Sequence, residues 1–127
     1  MSDEKTNIHY LGYQSKQNTL SLIQGSDLLI QPSLEEGVSS VVLEAMACGT
    51  CILGSNIEGN SEVIENNKNG LLVEPNNSDE LLSKILYLLP EKEKRLRMAN
   101  EGLEIVKKHD WKIVGKLYLN FYESLLN

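Results

Sequence analysis

Four short stretches with the patterning of strands organise the first 75 residues of the chain, at residues 7–11, 27–31, 51–54 and 70–73. Between the second and the third, residues 41–47 are apolar on nearly every side, which is typical of a helix packed inside a fold. A strand, a buried helix and a second strand in such close succession predict a βαβ unit. Its two strands should be parallel and joined by a right-handed crossover.

The ends of this unit carry residues that stop strands and start or stop helices. Pro32 has no N–H to donate to a sheet, and with Ser33 it ends the strand and opens a loop. Ser39 or Ser40 can cap the helix at its N-terminus, and Gly49 stands just past its end. The loop between strand and helix therefore lies at the carboxyl end of the first strand.

The pattern becomes helical after residue 76. Apolar positions at helical spacing predict helices over residues 78–89 and 91–108, and an aromatic stripe predicts a last one over residues 111–126. The chain has 127 residues, 41% of them hydrophobic and 24% charged, which fits one domain with a single core. We expect an α/β fold over residues 1–127, with a Rossmann-like parallel sheet of about four strands flanked by helices and a helical C-terminus.

The charge balance narrows the classes of partner. Twelve basic and eighteen acidic residues give a net charge of −6. Nucleic acids and anionic membranes are bound through basic patches, so neither is an expected partner. No apolar run is long enough to span a membrane and the first five residues do not resemble a signal peptide, which together predict a cytoplasmic protein.

Cysteine and histidine offer little chemistry. Cys48 and Cys51 form a C-x-x-C motif, but a reactive thiol of that kind belongs at a helix N-terminus, and Cys48 lies at the other end of its predicted helix. The two histidines are isolated and lack the spacing of metal ligands. We expect no metal site and no redox pair.

Two glutamates distinguish the βαβ unit. Glu36 lies in the loop after the first strand, and Glu44 is the only charged residue of the apolar helix. Ligands of open α/β sheets bind outside the carboxyl ends of the strands, where the start of a helix attracts phosphate. Carboxylates repel phosphate, so Glu36 and Glu44 are better suited to accept hydrogen bonds from hydroxyls. A ligand with phosphate at its centre and hydroxyls on both sides is a nucleotide sugar.

Several blocks resemble the GT-B retaining glycosyltransferases of the group 1, or family 4, type. Pro32-Ser33, Glu36-Gly37 and residues 44–50 are similar to the E-x7-E segment of that family, residues 56–64 to its loop ending in G-x-x-E, and residues 69–75 to its next strand. An isolated pair of glutamates would more simply be a pair of surface residues, but the flanking blocks favour a donor site. The chain departs from the family at Val38 and Ser39, where an aromatic residue and a glycine are usual, and at Cys51, where a proline is usual.

The resemblance implies the donor-binding part of a hexosyltransferase that uses a UDP-, GDP- or ADP-sugar, retains the anomeric configuration and needs no metal or other cofactor. It implies Glu36 and Glu44 as the catalytic residues, with Glu36 and the following amides at the donor sugar and Glu44 at the ribose. Both side chains are expected to face one cleft. The residues expected to bind the nucleotide sugar are Glu36, Gly37, Val38, Ser39, Ser40 and Glu44.

The resemblance covers only the later part of the family's donor domain, from about its third strand. The acceptor domain, and the strands that carry a basic residue for the leaving diphosphate, have no counterpart in the chain. Alone, it should therefore bind donors weakly and be inactive, and the missing N-terminal part is an expected partner. The alternative is a non-catalytic, truncated GT-B-like module that acts in self-association or in partner binding.

The sheet order of such a domain bears on assembly. In the order 3-2-1-4-5-6, the strand at residues 7–11 would be separated from the strand at residues 27–31 by the two missing strands. The gap would expose rows of unpaired backbone groups. We therefore expect the strand from residue 8 to slide into parallel pairing with the strand from residue 28, with some self-association to a homodimer.

Overall fold

The computed structural model describes residues 2–3, 7–35, 37, 39–108, 116, 119–120, 123 and 125–126. Its strands and helices alternate from residue 16 to residue 88, and a long helix follows them. The elements are β1 (Ser2–Asp3), β2 (Ile8–His9), α1 (Lys16–Gln24), β3 (Leu29–Gln31), α2 (Ser40–Ala47), β4 (Ile52–Ser55), α3 (Glu58–Ser61), β5 (Leu71–Val73), α4 (Ser78–Leu88) and α5 (Lys92–Lys108).

The central sheet is parallel and has the order β3-β4-β5. Ile30 lies opposite Leu53, and Leu53 lies opposite Leu71. The β3-α2-β4 segment is the predicted βαβ unit, and its parallel pairing confirms the predicted fold class. Within the described residues this sheet has three strands, one fewer than expected.

The first predicted strand does not join this sheet. Residues 8–9 form β2, which pairs antiparallel with β1 so that Ser2 lies opposite His9 and Asp3 opposite Ile8. The prediction that this strand slides beside β3 in parallel is therefore wrong. A partner only a few residues away pairs with β2 at a lower loop-closure cost than a crossover through α1 would require.

Helix α2 is the most buried helix of the described chain, and its caps explain where it begins and ends. The Ser39 hydroxyl accepts a hydrogen bond from the N–H of Val42, so Ser39 is the N-cap. Gly49, at φ +70°, ends the helix in the left-handed region that glycine adopts without strain. The five residues from Val42 to Met46 are all buried, as the apolar run predicted.

Both faces of the sheet are covered, as expected for parallel strands. Ile52 and Leu53 are adjacent in β4 and point to opposite faces, and each belongs to a different apolar cluster. The first cluster contains Ile23, Val42, Leu43, Ala45, Met46, Ile52, Ile64 and Val106. The second contains Cys51, Leu53, Leu71, Val73, Leu88 and Met98.

Helix α5 packs closely against α2. A Cβ added at Gly102 would lie 3.2 Å from Cγ of Met46, so the two helices approach at a position without a side chain.

Asn77 caps α4 by accepting a hydrogen bond from the N–H of Glu80 at 3.0 Å. The predicted helix over residues 111–126 lies mostly outside the described residues. No helix in the described part of the chain has the length and apolar character needed to cross a bilayer.

Candidate functional site

Glu44 lies in the middle of α2, between the start of the helix at the carboxyl edge of the sheet and its end at the amino edge. Its side chain is 4% exposed. An ionised carboxylate removed from water at this depth costs several kcal/mol unless charged or hydrogen-bonding groups compensate it, on the order of the penalties known for buried ions. The partners of Glu44 therefore decide whether its burial is structural or functional.

One partner is Lys16, the first residue of α1. Its ammonium group donates a hydrogen bond to Oε1 of Glu44 and forms an ion pair with it. The Lys16 side chain is 37% exposed, so the pair lies at the boundary between the interior and solvent. The charge of the buried carboxylate is compensated from another helix, 28 positions away in the sequence.

The second carboxylate oxygen of Glu44 is different. Oε2 is buried and accepts no hydrogen bond. Within the described part of the chain only one other buried side-chain oxygen lacks a partner, Oδ1 of Asn60. A buried acceptor without a donor costs about 1–3 kcal/mol, and such groups cluster where a ligand or water completes the hydrogen bond.

The charge of Glu44 is felt one helical turn further on. Burial raises the pKa of the Cys48 thiol above its ordinary value, and the nearby Glu44 carboxylate raises it further. Both effects disfavour the thiolate. Cys48 is therefore no reactive nucleophile, although its pKa reports on the charge beside it.

Hydrogen bonds connect the carboxyl ends of β3 and β4, where the loop between β3 and α2 begins. The Ser55 hydroxyl donates to the carbonyl oxygen of Ser33, and the carbonyl oxygen of Gln31 lies 3.4 Å from the same hydroxyl. The Asn60 amide in α3 donates to the Ser55 carbonyl at 2.9 Å. These bonds anchor the start of the loop that carries Glu36 to the end of the neighbouring strand.

A cavity of about 330 Å³ opens at the same edge of the sheet, beside the start of α4. Its walls come from the ends of all three parallel strands and from the segment after β5. They consist of Pro32, Leu34, Ser55, Val73, Glu74, Pro75, Asn76, Asn77, Ser78 and Leu81. Glu44 does not line this cavity, so the buried carboxylate and the cavity are two separate features.

The residues predicted to bind the nucleotide sugar are only partly described. Glu36 and Val38 lie outside the described residues, so their orientation towards a shared cleft remains a prediction. Gly37 is exposed, and a Cβ added to it would meet nothing within 4 Å. Ser40 is exposed at the start of α2, whereas Ser39 is buried and uses its hydroxyl as the helix cap.

Lys16 was not among the residues selected from the sequence. Its contact with Glu44 joins two helices, and no local pattern reveals such a pairing. One signal was present nonetheless: Lys16 is the only lysine or arginine between Lys5 and Lys68. A lone cation in an acidic stretch that contains a buried carboxylate is a candidate for its counter-ion.

In a comparison with known sequences, one protein family matches most of the chain. The family described as "Glycosyl transferases group 1" matches residues 3–104. The chain is 35% identical over 119 residues to the N,N'-diacetylbacillosaminyl-diphospho-undecaprenol alpha-1,3-N-acetylgalactosaminyltransferase of Campylobacter jejuni. It is 34% identical over 120 residues to an uncharacterized glycosyltransferase of Methanocaldococcus jannaschii. The match covers 94% of the chain in both cases, but only 31% and 34% of the two relatives, so the chain spans about a third of their length.

Solved structures show the same fold. Sucrose-phosphate synthase of Thermosynechococcus elongatus superposes with a TM-score of 0.80 over 94% of this chain and 30% of that chain, at 23% identity. Anabaena HepE, in complex with UDP-glucose, superposes with a TM-score of 0.78 over 95% of this chain and 32% of that one, at 24% identity. At these identities the likeness establishes the fold alone.

Proposed function

Since the chain belongs to the group 1 glycosyltransferases and has the fold of their GT-B donor domain, we propose that it binds the nucleotide-sugar donor of a retaining hexosyltransferase. The observation that carries the proposal is the unpartnered Oε2 of Glu44. Glu44 is the second glutamate of the E-x7-E segment, so the buried acceptor coincides with the residue that the motif assigns to the ribose.

The chemistry of a ribose suits this acceptor. An ionised carboxylate only accepts hydrogen bonds, and each of its oxygens has two lone pairs. With Oε1 bonded to Lys16, Oε2 can accept from the two adjacent hydroxyls of a ribose. Such charge-assisted bonds are about twice as strong as neutral ones, and they remove the cost of an unpaired buried acceptor.

The loop before α2 serves the rest of the donor. Glu36 and the amides of Gly37 and Val38 contact the sugar, and the first N–H groups of α2, at Ser39 and Ser40, face the diphosphate. The open space around Gly37 supports a ligand in this place. The start of α2 supports a phosphate because the first N–H groups of a helix have no intrahelical acceptor.

The donor is a UDP-, GDP- or ADP-sugar, and the chain acts in the cytoplasm together with the remaining parts of a glycosyltransferase. UDP-glucose is the first donor to test, because the similar Anabaena HepE was crystallised with it. Transfer itself also requires an acceptor site, which we assign to those remaining parts.

A second candidate function is self-association without catalysis. It is favoured by apolar side chains that point into solvent between residues 8 and 22. Ile8 is 64% exposed, Leu11 53% and Leu22 45%. Light scattering together with a nucleotide titration distinguishes the candidates. A chain that forms a dimer and binds no nucleotide supports this second function over the first.

The test is a titration of the 127-residue chain with UDP-, GDP- and ADP-glucose, followed by ligand-detected NMR. We expect one donor to bind with a dissociation constant on the order of 1 mM. Glu44→Gln should weaken that binding about tenfold or more, because the neutral amide offers a weaker acceptor. Glu101→Gln, which removes a carboxylate from an exposed position on α5, is the matched control and should leave it unchanged. Equal binding by all three proteins contradicts the proposal.

A further inference from the structure

We propose that Lys16 is a positioning residue for the donor site, which holds Oε1 of Glu44 so that Oε2 stays directed at the ligand. The inference rests on the proposed function, since it concerns the same carboxylate. It adds a residue from a helix outside the E-x7-E segment.

The place of Lys16 in α1 is not explained by the stability of that helix. Lys16 is the first helical residue, where the positive end of the helix dipole disfavours a cation. The first turn of α1 contains no acidic residue that would offset this effect. The favourable interaction of the lysine is therefore the one with Glu44, in the neighbouring helix.

Helix α1 holds this lysine at a defined position. The Ser15 hydroxyl caps its start by accepting a hydrogen bond from the N–H of Asn18 at 3.2 Å. At its other end, the Thr50 hydroxyl, which follows α2, donates to the Ile23 carbonyl at 2.8 Å, and both groups are buried. The cap fixes where α1, and with it Lys16, begins, and the Thr50 bond ties the far end of α1 to the segment after α2.

A carboxylate held at one oxygen loses most of its rotational freedom. Without Lys16, Glu44 could exchange its two oxygens and adopt other rotamers, and the ligand would have to order it on binding. Immobilising a side chain of this length on binding lowers the affinity for the ligand, and a preorganised site avoids that loss. Lys16 also compensates a charge that would otherwise be buried alone.

The inference predicts a selective effect on recognition of the ribose. The measured quantity is the ribose preference, defined as the dissociation constant of a 2′,3′-dideoxy nucleotide divided by that of the ribonucleotide. The probes are UDP, GDP and ADP with their 2′,3′-dideoxy analogues, titrated into the 127-residue chain. The base that binds most tightly is then used for every variant.

We expect Lys16→Met to lower the ribose preference about tenfold, and Lys16→Arg to restore it to within about threefold of the wild type, because arginine keeps the cation. A lysine with a purely structural role would change the melting temperature and the affinities for both nucleotides in parallel. If Lys16→Met does not fold, two other variants replace it. The first is Lys16→Arg, and the second is the double variant that combines Lys16→Met with Glu44→Gln. The double variant leaves no uncompensated buried charge. Adding Lys16→Met to Glu44→Gln should then change the preference no further.

The outcomes separate the two proposals. If Glu44→Gln loses the ribose preference while Lys16→Met keeps it, or if the preference of the double variant differs from that of Glu44→Gln by more than about threefold, the positioning role is overturned and the donor site stands. If Glu44→Gln keeps the preference, or if the wild type binds none of the probes, the proposed function fails and the positioning role with it.

Discussion

Two charged side chains, Glu44 in α2 and Arg95 in α5, are largely withdrawn from solvent, and they are partnered differently. Arg95 of α5 lies at the amino edge, where Nη1 donates to the carbonyl oxygens of Leu88, at 2.8 Å, and Leu89. Oδ1 of Asp27 lies 4.0 Å from Nη2 of Arg95, and 11% of the arginine side chain is exposed. Glu44 has one cationic partner and keeps a buried oxygen that accepts nothing.

The difference separates a structural charge from a functional one. Arg95 donates to two carbonyl groups at the end of α4, of which that of Leu88 also accepts from the N–H of Glu91, so the arginine ties the end of α4 to α5. Glu44 leaves an acceptor unsatisfied inside the protein, which costs stability until a donor arrives. Stability should therefore depend on Arg95, and ligand binding on Glu44.

The largest effect on stability is expected from a substitution of Arg95. Arg95→Met keeps most of the apolar volume but removes the hydrogen bonds to the end of α4. We expect the free energy of unfolding to fall by about 2 kcal/mol, in the range of bonds to charged groups. Urea denaturation followed by circular dichroism measures the loss.

Glu44→Met is the matched variant in that experiment. It replaces a buried carboxylate by an apolar side chain of similar size, and the released Lys16 can reach solvent. Such replacements are often neutral or stabilising, so we expect a change of less than about 1 kcal/mol. Equal losses in the two variants would show that both charges are structural.

Two thiols provide a smaller and more local test, because each lies near one of the charges. The pKa of Cys48 is raised by burial and by Glu44, so Glu44→Gln should lower it. The pKa of Cys51 is raised to about 11, chiefly by burial, and Arg95 lowers it slightly, so Arg95→Met should raise it further.

Thiolates are the reacting species in alkylation, so a raised pKa moves the rate profile to higher pH. Iodoacetamide labelling between about pH 7 and pH 11, with each cysteine followed by mass spectrometry, records the rate profile of Cys48 and the lower part of that of Cys51 in one experiment. Glu44→Gln should move the Cys48 profile to lower pH and leave that of Cys51 in place. Parallel movement of both profiles would indicate a general loosening of the fold.

Local sequence patterns predicted the part of the fold in which neighbours in sequence are neighbours in space. The strand before Pro32, the cap at Ser39, the buried run to Met46 and the turn at Gly49 are all present. Each follows from the backbone preferences of a few adjacent residues, and the apolar run required burial on all sides. The family motif then gave Glu44 a role that periodicity alone could not supply.

The failures concern contacts between distant segments. The pairing of β2 was predicted from the sheet order of a larger domain, but residues 2–3 provide a closer partner. The contact between Lys16 and Glu44 depends on the packing of α1 against α2, which no pattern in either helix encodes. The unpartnered oxygen of Glu44 is likewise a property of the assembled interior.

The most direct test of the donor site compares the ribose preference of the wild-type chain with that of Glu44→Gln. It uses the nucleoside diphosphate that binds most tightly. If Oε2 of Glu44 accepts hydrogen bonds from the ribose, the wild type should prefer the ribonucleotide to its 2′,3′-dideoxy analogue by about ten- to a hundredfold, or about 1.4–2.8 kcal/mol. In Glu44→Gln the preference should fall to within about threefold of unity, while the affinity for the dideoxy analogue changes little. A preference that survives in Glu44→Gln would contradict the assignment of Glu44 to the ribose.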